Sequence, residues 1–169
     1  MTTKLISILL TASLFLFTSC KVWEEGDAVY KLPNLLFLDW HGNEISIQDF
    51  QGKVLIVDVW ATWCEPCEKA VPVIEKMKEK SGDELVFLGI NTDTNKSPEE
   101  IENHAKQLSM SYISLLDPHH VFVDLFKIEG LPALIVFSKN GNLLYRQYGI
   151  NENDLDGLFA RLSAWKTVD

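Results

Sequence analysis

Apolar residues along this chain recur with two different periods, and the switches between them mark out its elements. Val54–Trp60, residues 85–90 and Ala133–Phe137 are short apolar runs rich in Val, Ile, Leu and Phe. Runs that are apolar on both faces are what strands in the middle of a parallel or mixed sheet look like. Residues 35–38 and 45–47 read as two further strands, with Gly42-Asn43 between them as the tip of a hairpin. Residues 112–116 form a short strand. Leu143–Tyr148 returns antiparallel from Ala133–Phe137 across an Asn140-Gly141 turn.

Helical patterns fill the intervals. Residues 68–80 read as a helix interrupted by Pro72, which has no N–H for the carbonyl of Glu68 and is expected to kink it. Ser97-Pro98-Glu99-Glu100 is a helix start: Ser97 as cap, Pro98 at the first helical position, Glu100 three residues after the cap. That helix runs to about Leu108. Residues 119–126 form a short helix with Val121, Phe122, Leu125 and Phe126 on its apolar face. Residues 151–165 close the chain, with Leu155, Leu158, Phe159 and Leu162 at helical spacing. The order β-β-β-α-β-α-β-α-β-β-α predicts a mixed central sheet covered by helices on both faces.

A chain of 169 residues holds one domain with a short appendage. Residues 1–19 read as that appendage, a signal peptide of lipoprotein type. Lys4 supplies the charged start, and the apolar run after it is too short to span a bilayer comfortably. Phe17-Thr18-Ser19-Cys20 is similar to a bacterial lipobox, in which the cysteine is diacylated and becomes the new first residue. Phe17 departs from the usual Leu. An uncleaved anchor or ordinary cleavage nearby are the alternatives. Residues 20–29 are polar and acidic and read as a tether, leaving 30–169 as the folded domain. Lipid at Cys20 leaves Cys64 and Cys67 as a pair out of three cysteines. The net charge of −9 argues against nucleic acid and against a basic patch for anionic membranes.

The candidate chemistry is Trp63-Cys64-Glu65-Pro66-Cys67, between a buried strand and a helix. Exposed N–H groups and the macrodipole at a helix N-terminus favour negative charge. A cysteine there titrates below the free value of about 8.5. The two cysteines are close enough to close as a disulfide. Half of a zinc site is an alternative, but zinc takes four ligands. There is no second C-x-x-C, and His41, His104, His119 and His120 have no tight paired spacing. A purely structural disulfide suits an exported protein but leaves the strand-to-helix placement unexplained. The residues imply no metal and no cofactor. Asp58 breaks the first apolar run. It is either a strand-end aspartate that reaches water or a buried carboxylate whose proton is held to unusually high pH.

With those residues in hand, the chain resembles the thioredoxin superfamily, and more closely its TlpA/ResA-like branch of membrane-tethered thiol–disulfide oxidoreductases. The match covers about residues 30–165. It rests on Trp60-Ala61-Thr62-Trp63-Cys64-Glu65-Pro66-Cys67, on Pro72 five residues after Cys67, and on Gly130-Leu131-Pro132 before a strand and a Gly-turned hairpin. The resemblance implies an α/β thioredoxin fold with an N-terminal β-hairpin and an inserted helix. It implies a cis Leu131–Pro132 peptide packed against the cysteines, beside backbone that pairs with an incoming substrate strand. Trp63, Glu65, Pro66, Leu131 and Pro132 are then the substrate-binding candidates. Two departures matter. Ala70 stands where ResA-like proteins usually carry a glutamate, whereas Asp58 stands where thioredoxin keeps a buried aspartate. Gly89 stands where thioredoxin has the lysine that partners it, so Asp58 is expected to be less restrained.

The implied mechanism uses an exposed Cys64 as attacking thiolate, a more buried Cys67 to resolve the mixed disulfide, and Asp58 to move the Cys67 proton. Glu65 and Asp58 place negative charge near the thiolate and so favour the disulfide, which makes the protein a reductant. Its expected partners are disulfide-bearing exported proteins, the haem-attachment cysteines of apocytochrome c among them, and an integral-membrane thiol electron donor. Rival readings are a thioredoxin-fold peroxidase, a Sco-like copper metallochaperone and an adhesin or chaperone using the groove alone. The peroxidatic Pro-x-x-x-Thr-x-x-Cys context is absent. Sco-like proteins use a C-x-x-x-C pair and a distant histidine, whereas His119-His120 reads as two solvated residues at a helix start.

Overall fold

The computed structural model describes residues 31–168. The residues read as signal peptide and tether, Cys20 among them, lie outside the described residues. Seven strands form one sheet: β1 (Leu36–Asp39), β2 (Glu44–Ser46), β3 (Val54–Trp60), β4 (Leu85–Asn91), β5 (Ser114–Leu116), β6 (Ala133–Phe137) and β7 (Leu143–Tyr148). Their spatial order is β2-β1-β5-β4-β3-β6-β7. β4 runs parallel to β3 and β5, and the remaining pairs are antiparallel, so the sheet is mixed as the pattern predicts.

β3 sits near the middle, and every one of its residues is buried. Its alternate side chains serve two cores. Val54, Ile56 and Trp60 pack under α1 (Glu65–Ser81), α2 (Pro98–Gln107) and α4 (Leu155–Trp165), with Ala70, Ile74, Ile101 and Leu158. Leu55, Val57 and Val59 pack on the opposite face with Ile47, Phe122 and Phe126, around α3 (Val121–Leu125). A strand with two buried faces has no room for polar alternation, which is why its sequence reads as a continuous apolar run.

The N-terminal hairpin forms as expected. Gly42 takes a left-handed φ of +81° at its tip, and the Asp39 carboxylate accepts from the backbone N–H groups of His41 and Asn43 at 2.8 Å. β2 stops at Ser46 because Ile47–Phe50 winds into a 3-10 turn that drives Ile47 into the core. The Ser97 capping box is present, with Glu100 N–H donating to Ser97 Oγ and Ser97 N–H to Glu100 Oε2. The first helix starts three residues earlier than its apolar pattern suggests and runs unbroken through Pro72. The short helix shrinks to Val121–Leu125, because Asp117 caps it from upstream, accepting from the Val121 and Phe122 N–H groups. α4 is preceded by a 3-10 turn at Glu152–Asp154.

Candidate active site

Thiol chemistry is placed where β3 hands over to α1. Cys64 is the N-cap of α1, with extended backbone, and its Sγ accepts the Cys67 N–H at 3.2 Å. Cysteine is not a usual capping residue, but its sulfur here does the work that a serine oxygen does elsewhere. Cys67 falls in the first turn of the helix, and the two form a disulfide. Cys64 is 3 % exposed and Cys67 1 %. The expectation of an exposed Cys64 is therefore corrected: in the disulfide form both cysteines are tucked into the core under α1.

The rim around them is open. Trp63 is 70 % exposed, which rules out a core role for its indole. Glu65 and Pro66 are also exposed, Pro66 in the first helical turn where a missing N–H costs nothing. Opposite this rim stands Pro132. Val59 pairs with Ala133, so the antiparallel register carries Pro132 to the level of Trp60, at the end of β3 that leads to Cys64. The Leu131–Pro132 peptide is cis. Pro132 is buried, and its carbonyl accepts from Gly149 N–H at 3.0 Å. Leu131 packs against both cores.

The segment before Cys64 is held by a polar network that sequence reasoning missed. Asp93, 4 % exposed, accepts from Thr62 N–H at 2.8 Å, Thr62 Oγ1 at 2.9 Å and the Asn91 side-chain amide at 2.8 Å. Thr92 N–H donates to the Trp60 carbonyl. A loop aspartate after an apolar strand carries no signal of such a partner 31 residues back. His120 is likewise not simply solvated: it is half-buried, and its Nε2 sits 3.0 Å from the Thr92 carbonyl oxygen.

Asp58 completes the site from beneath. It is 1 % exposed, so the reading as a water-reaching strand end fails. Strand alternation puts it on the face of Ile56 and Trp60, the face that α1 and the cysteines cover. Its Oδ2 accepts from the Tyr112 hydroxyl at 2.7 Å, and its Oδ1 is buried with no partner. Desolvation, only partly offset by the Tyr112 hydrogen bond, pushes its carboxyl up to about 7. The expectation that Gly89 leaves Asp58 less restrained is also corrected. Gly89 does pair with Asp58 across β3 and β4. However, a Cβ at Gly89 would lie 2.7 Å from Ser114 Oγ and 3.1 Å from Trp60 Nε1, atoms that bond each other at 2.8 Å. No longer side chain fits there, and Tyr112 restrains the carboxylate instead. Ala70 is wholly buried in the same core, so the helix offers no carboxylate at that position.

A family model described as Redoxin matches residues 25–162. The chain belongs to the Redoxin family. It is 29% identical over 125 residues to the thiol-disulfide oxidoreductase ResA of Bacillus thuringiensis subsp. konkukian, covering 72% of this chain and 69% of that protein. The thioredoxin-like protein YneN of Bacillus subtilis is 28% identical over 119 residues, covering 70% and 68%. Among solved structures, a thiol:disulfide interchange protein DsbE described as putative, from Chlorobium tepidum, superposes with a TM-score of 0.74 at 23% identity, covering 83% of this chain and 98% of that one. The redoxin fold and the Cys64–Cys67 pair together make this chain a ResA-like thiol–disulfide oxidoreductase of the thioredoxin superfamily.

Proposed function

We propose that this redoxin is a membrane-tethered, extracytoplasmic reductant of disulfides in exported proteins. The observation that carries the reading is a cysteine sulfur capping a helix, above a buried carboxylate that has one bare oxygen. A thiolate at Cys64 keeps the Cys67 N–H as its hydrogen-bond donor and gains from the helix dipole. It attacks a client disulfide, forming a mixed disulfide and releasing the first client sulfur as thiolate. Asp58 takes the proton of Cys67, whose sulfur then attacks Cys64 Sγ. The Cys64–Cys67 bond forms as the bond to the client breaks. Two electrons pass to the client, whose second sulfur leaves as thiolate. A membrane thiol donor returns the protein to the dithiol.

Direction follows from charge. Ionised Asp58 disfavours a neighbouring thiolate and so favours the closed disulfide. Glu65 contributes less, since its side chain is 81% exposed and paired with Lys69 at 3.3 Å. Tethering is supported by the lipobox-like residues ending in Cys20. The exposed Trp63, Glu65 and Pro66 form the client-facing rim, with the backbone of Leu131 and Pro132 opposite it as the edge for a client strand, and apocytochrome c is one client class.

A Cys67→Ser protein stalls at the mixed disulfide. Expressed in its own cells, it accumulates covalent adducts with exported proteins through Cys64, and these dissolve in dithiothreitol. Cys64→Ser forms none. Unchanged biological activity in Cys64→Ser would instead favour a chaperone that uses only the groove.

A further inference from the structure

Among the described residues, four aspartates are buried, and three of them are fully engaged. Both carboxylate oxygens of Asp39, Asp93 and Asp117 accept hydrogen bonds. Asp58 alone keeps a bare oxygen, and its other oxygen is held by a phenol 54 residues away in sequence. Tyr112 is 3 % exposed and is clamped on both sides. Before it, Ser111 donates through N–H and Oγ to the Glu75 carboxylate, and Lys78 Nζ donates to Ser111 Oγ at 2.7 Å. Glu75 and Lys78 belong to α1, the helix that carries the cysteines. After it, the Ile113 carbonyl accepts from Gly89 N–H at 2.8 Å.

We propose that Tyr112 is the positioning residue that aims Asp58: its hydroxyl occupies Oδ2 and leaves Oδ1 to exchange the proton with Cys67. This rests on the reading of Asp58 given above. The phenol donates to the carboxylate whether or not Oδ1 carries the proton, so the bond survives the transfer. Burial and the Asp58 charge hold the Tyr112 proton well above the ordinary phenol range, which keeps it a donor throughout. In the transfer, the proton moves from Cys67 Sγ to Oδ1, Cys67 sulfur bonds to Cys64 Sγ, and the client sulfur leaves with the electron pair of the broken bond.

The other groups around Asp58 leave Tyr112 as its partner. On the side of α1 the same core holds the Cys64–Cys67 disulfide, and Glu75 acts on the tyrosine end. β4 presents Gly89 and β6 presents Leu134. From α2, His104 stacks on the Trp60 ring and lies 3.9 Å from Glu68.

The test compares Tyr112→Phe, Asp58→Asn and the double variant. The Asp58 side-chain 13C resonance is titrated in the oxidised protein, and the pH profile of disulfide interchange is measured in parallel. Losing a hydrogen bond to a charged group moves the Asp58 midpoint in Tyr112→Phe upward by about 1–2 pH units, and the interchange profile moves with it. The double variant matches Asp58→Asn, because Tyr112 acts through Asp58. Replacing Tyr112 with 3-fluorotyrosine, a stronger donor of nearly the same shape, moves the midpoint the opposite way. It keeps the test open should Tyr112→Phe fold poorly. An unmoved midpoint, or a further loss in the double variant, overturns the assignment of Tyr112 while Asp58 stands. An interchange profile unchanged in Asp58→Asn instead overturns Asp58 as proton acceptor, and Tyr112 with it.

Discussion

Replacing Asp58 by Asn should make the protein more tolerant of alkaline pH while slowing its chemistry. With the disulfide closed, neither Cys64 nor Cys67 titrates, so Asp58 stands out against a background shared by both proteins. Its carboxyl moves from an ordinary value of 3.8 to about 7 on folding. Between those two values the native state keeps a proton that the unfolded chain gives up. The native state therefore binds more protons, and unfolding free energy falls as pH rises through this window, levelling off above about pH 7. At about 1.4 kcal/mol per pH unit, the whole effect is about 4 kcal/mol, and the part between pH 5 and pH 8 is about 3 kcal/mol. The asparagine has no such slope. It keeps an acceptor for Tyr112 and leaves a buried N–H unpaired, a pH-independent cost of about 1–3 kcal/mol that cancels when pH values are compared within one protein. The assay is guanidinium unfolding of both oxidised proteins at pH 5 and pH 8. The stability difference between them should change by about 3 kcal/mol in favour of Asn at the higher pH, a relative shift in melting temperature of roughly 10 °C. Parallel pH–stability curves would mean that Asp58 ionises normally, and the desolvated site would be wrong.

Three further substitutions separate the rim, the core and the loop. Trp63→Ala removes an exposed indole, so stability should stay within about 0.5 kcal/mol while KM for a protein disulfide rises and the reaction with dithiothreitol is unchanged. Equal loss with both substrates would show that Trp63 shapes the cysteines rather than the client. Gly89→Ala forces a methyl to 2.7 Å from Ser114 Oγ and should cost about 1–3 kcal/mol in denaturant unfolding; wild-type stability would contradict the packing. Asp93→Ala strands the Thr62 N–H and hydroxyl and the Asn91 amide. It should cost about 2–4 kcal/mol and slow interchange, and full activity would show that the loop needs no such anchor.

Elements whose signal lies within one segment were legible in the sequence. Val54–Trp60, Ala133–Phe137 and Leu143–Tyr148 have the bounds their apolar runs mark, and Ser97, Pro98 and Glu100 start α2 as their spacing requires. Cys64 and Cys67 stand out because the pair sits on a strand-to-helix junction. What was illegible depends on contacts across the fold. Tyr112 reads as the first residue of a strand, but β5 begins at Ser114 and the Tyr112 side chain turns inward to Asp58. Asp93 and Thr62 meet only because β3 and β4 lie side by side. The apolar pattern starts α1 three residues late because Glu65 and Pro66 add nothing to an apolar stripe. They are polar and conformationally suited to a first turn.

The reduction potential decides whether Cys64 and Cys67 form a reversible couple poised to reduce, as proposed. The protein is equilibrated with dithiothreitol or glutathione buffers, and the dithiol fraction is read by thiol alkylation. A single two-electron transition near thioredoxin's value, about −270 mV, is the predicted result. A value near −120 mV would make the protein an oxidant and contradict the electrostatic account of Asp58. No reversible transition at all would remove the redox couple itself.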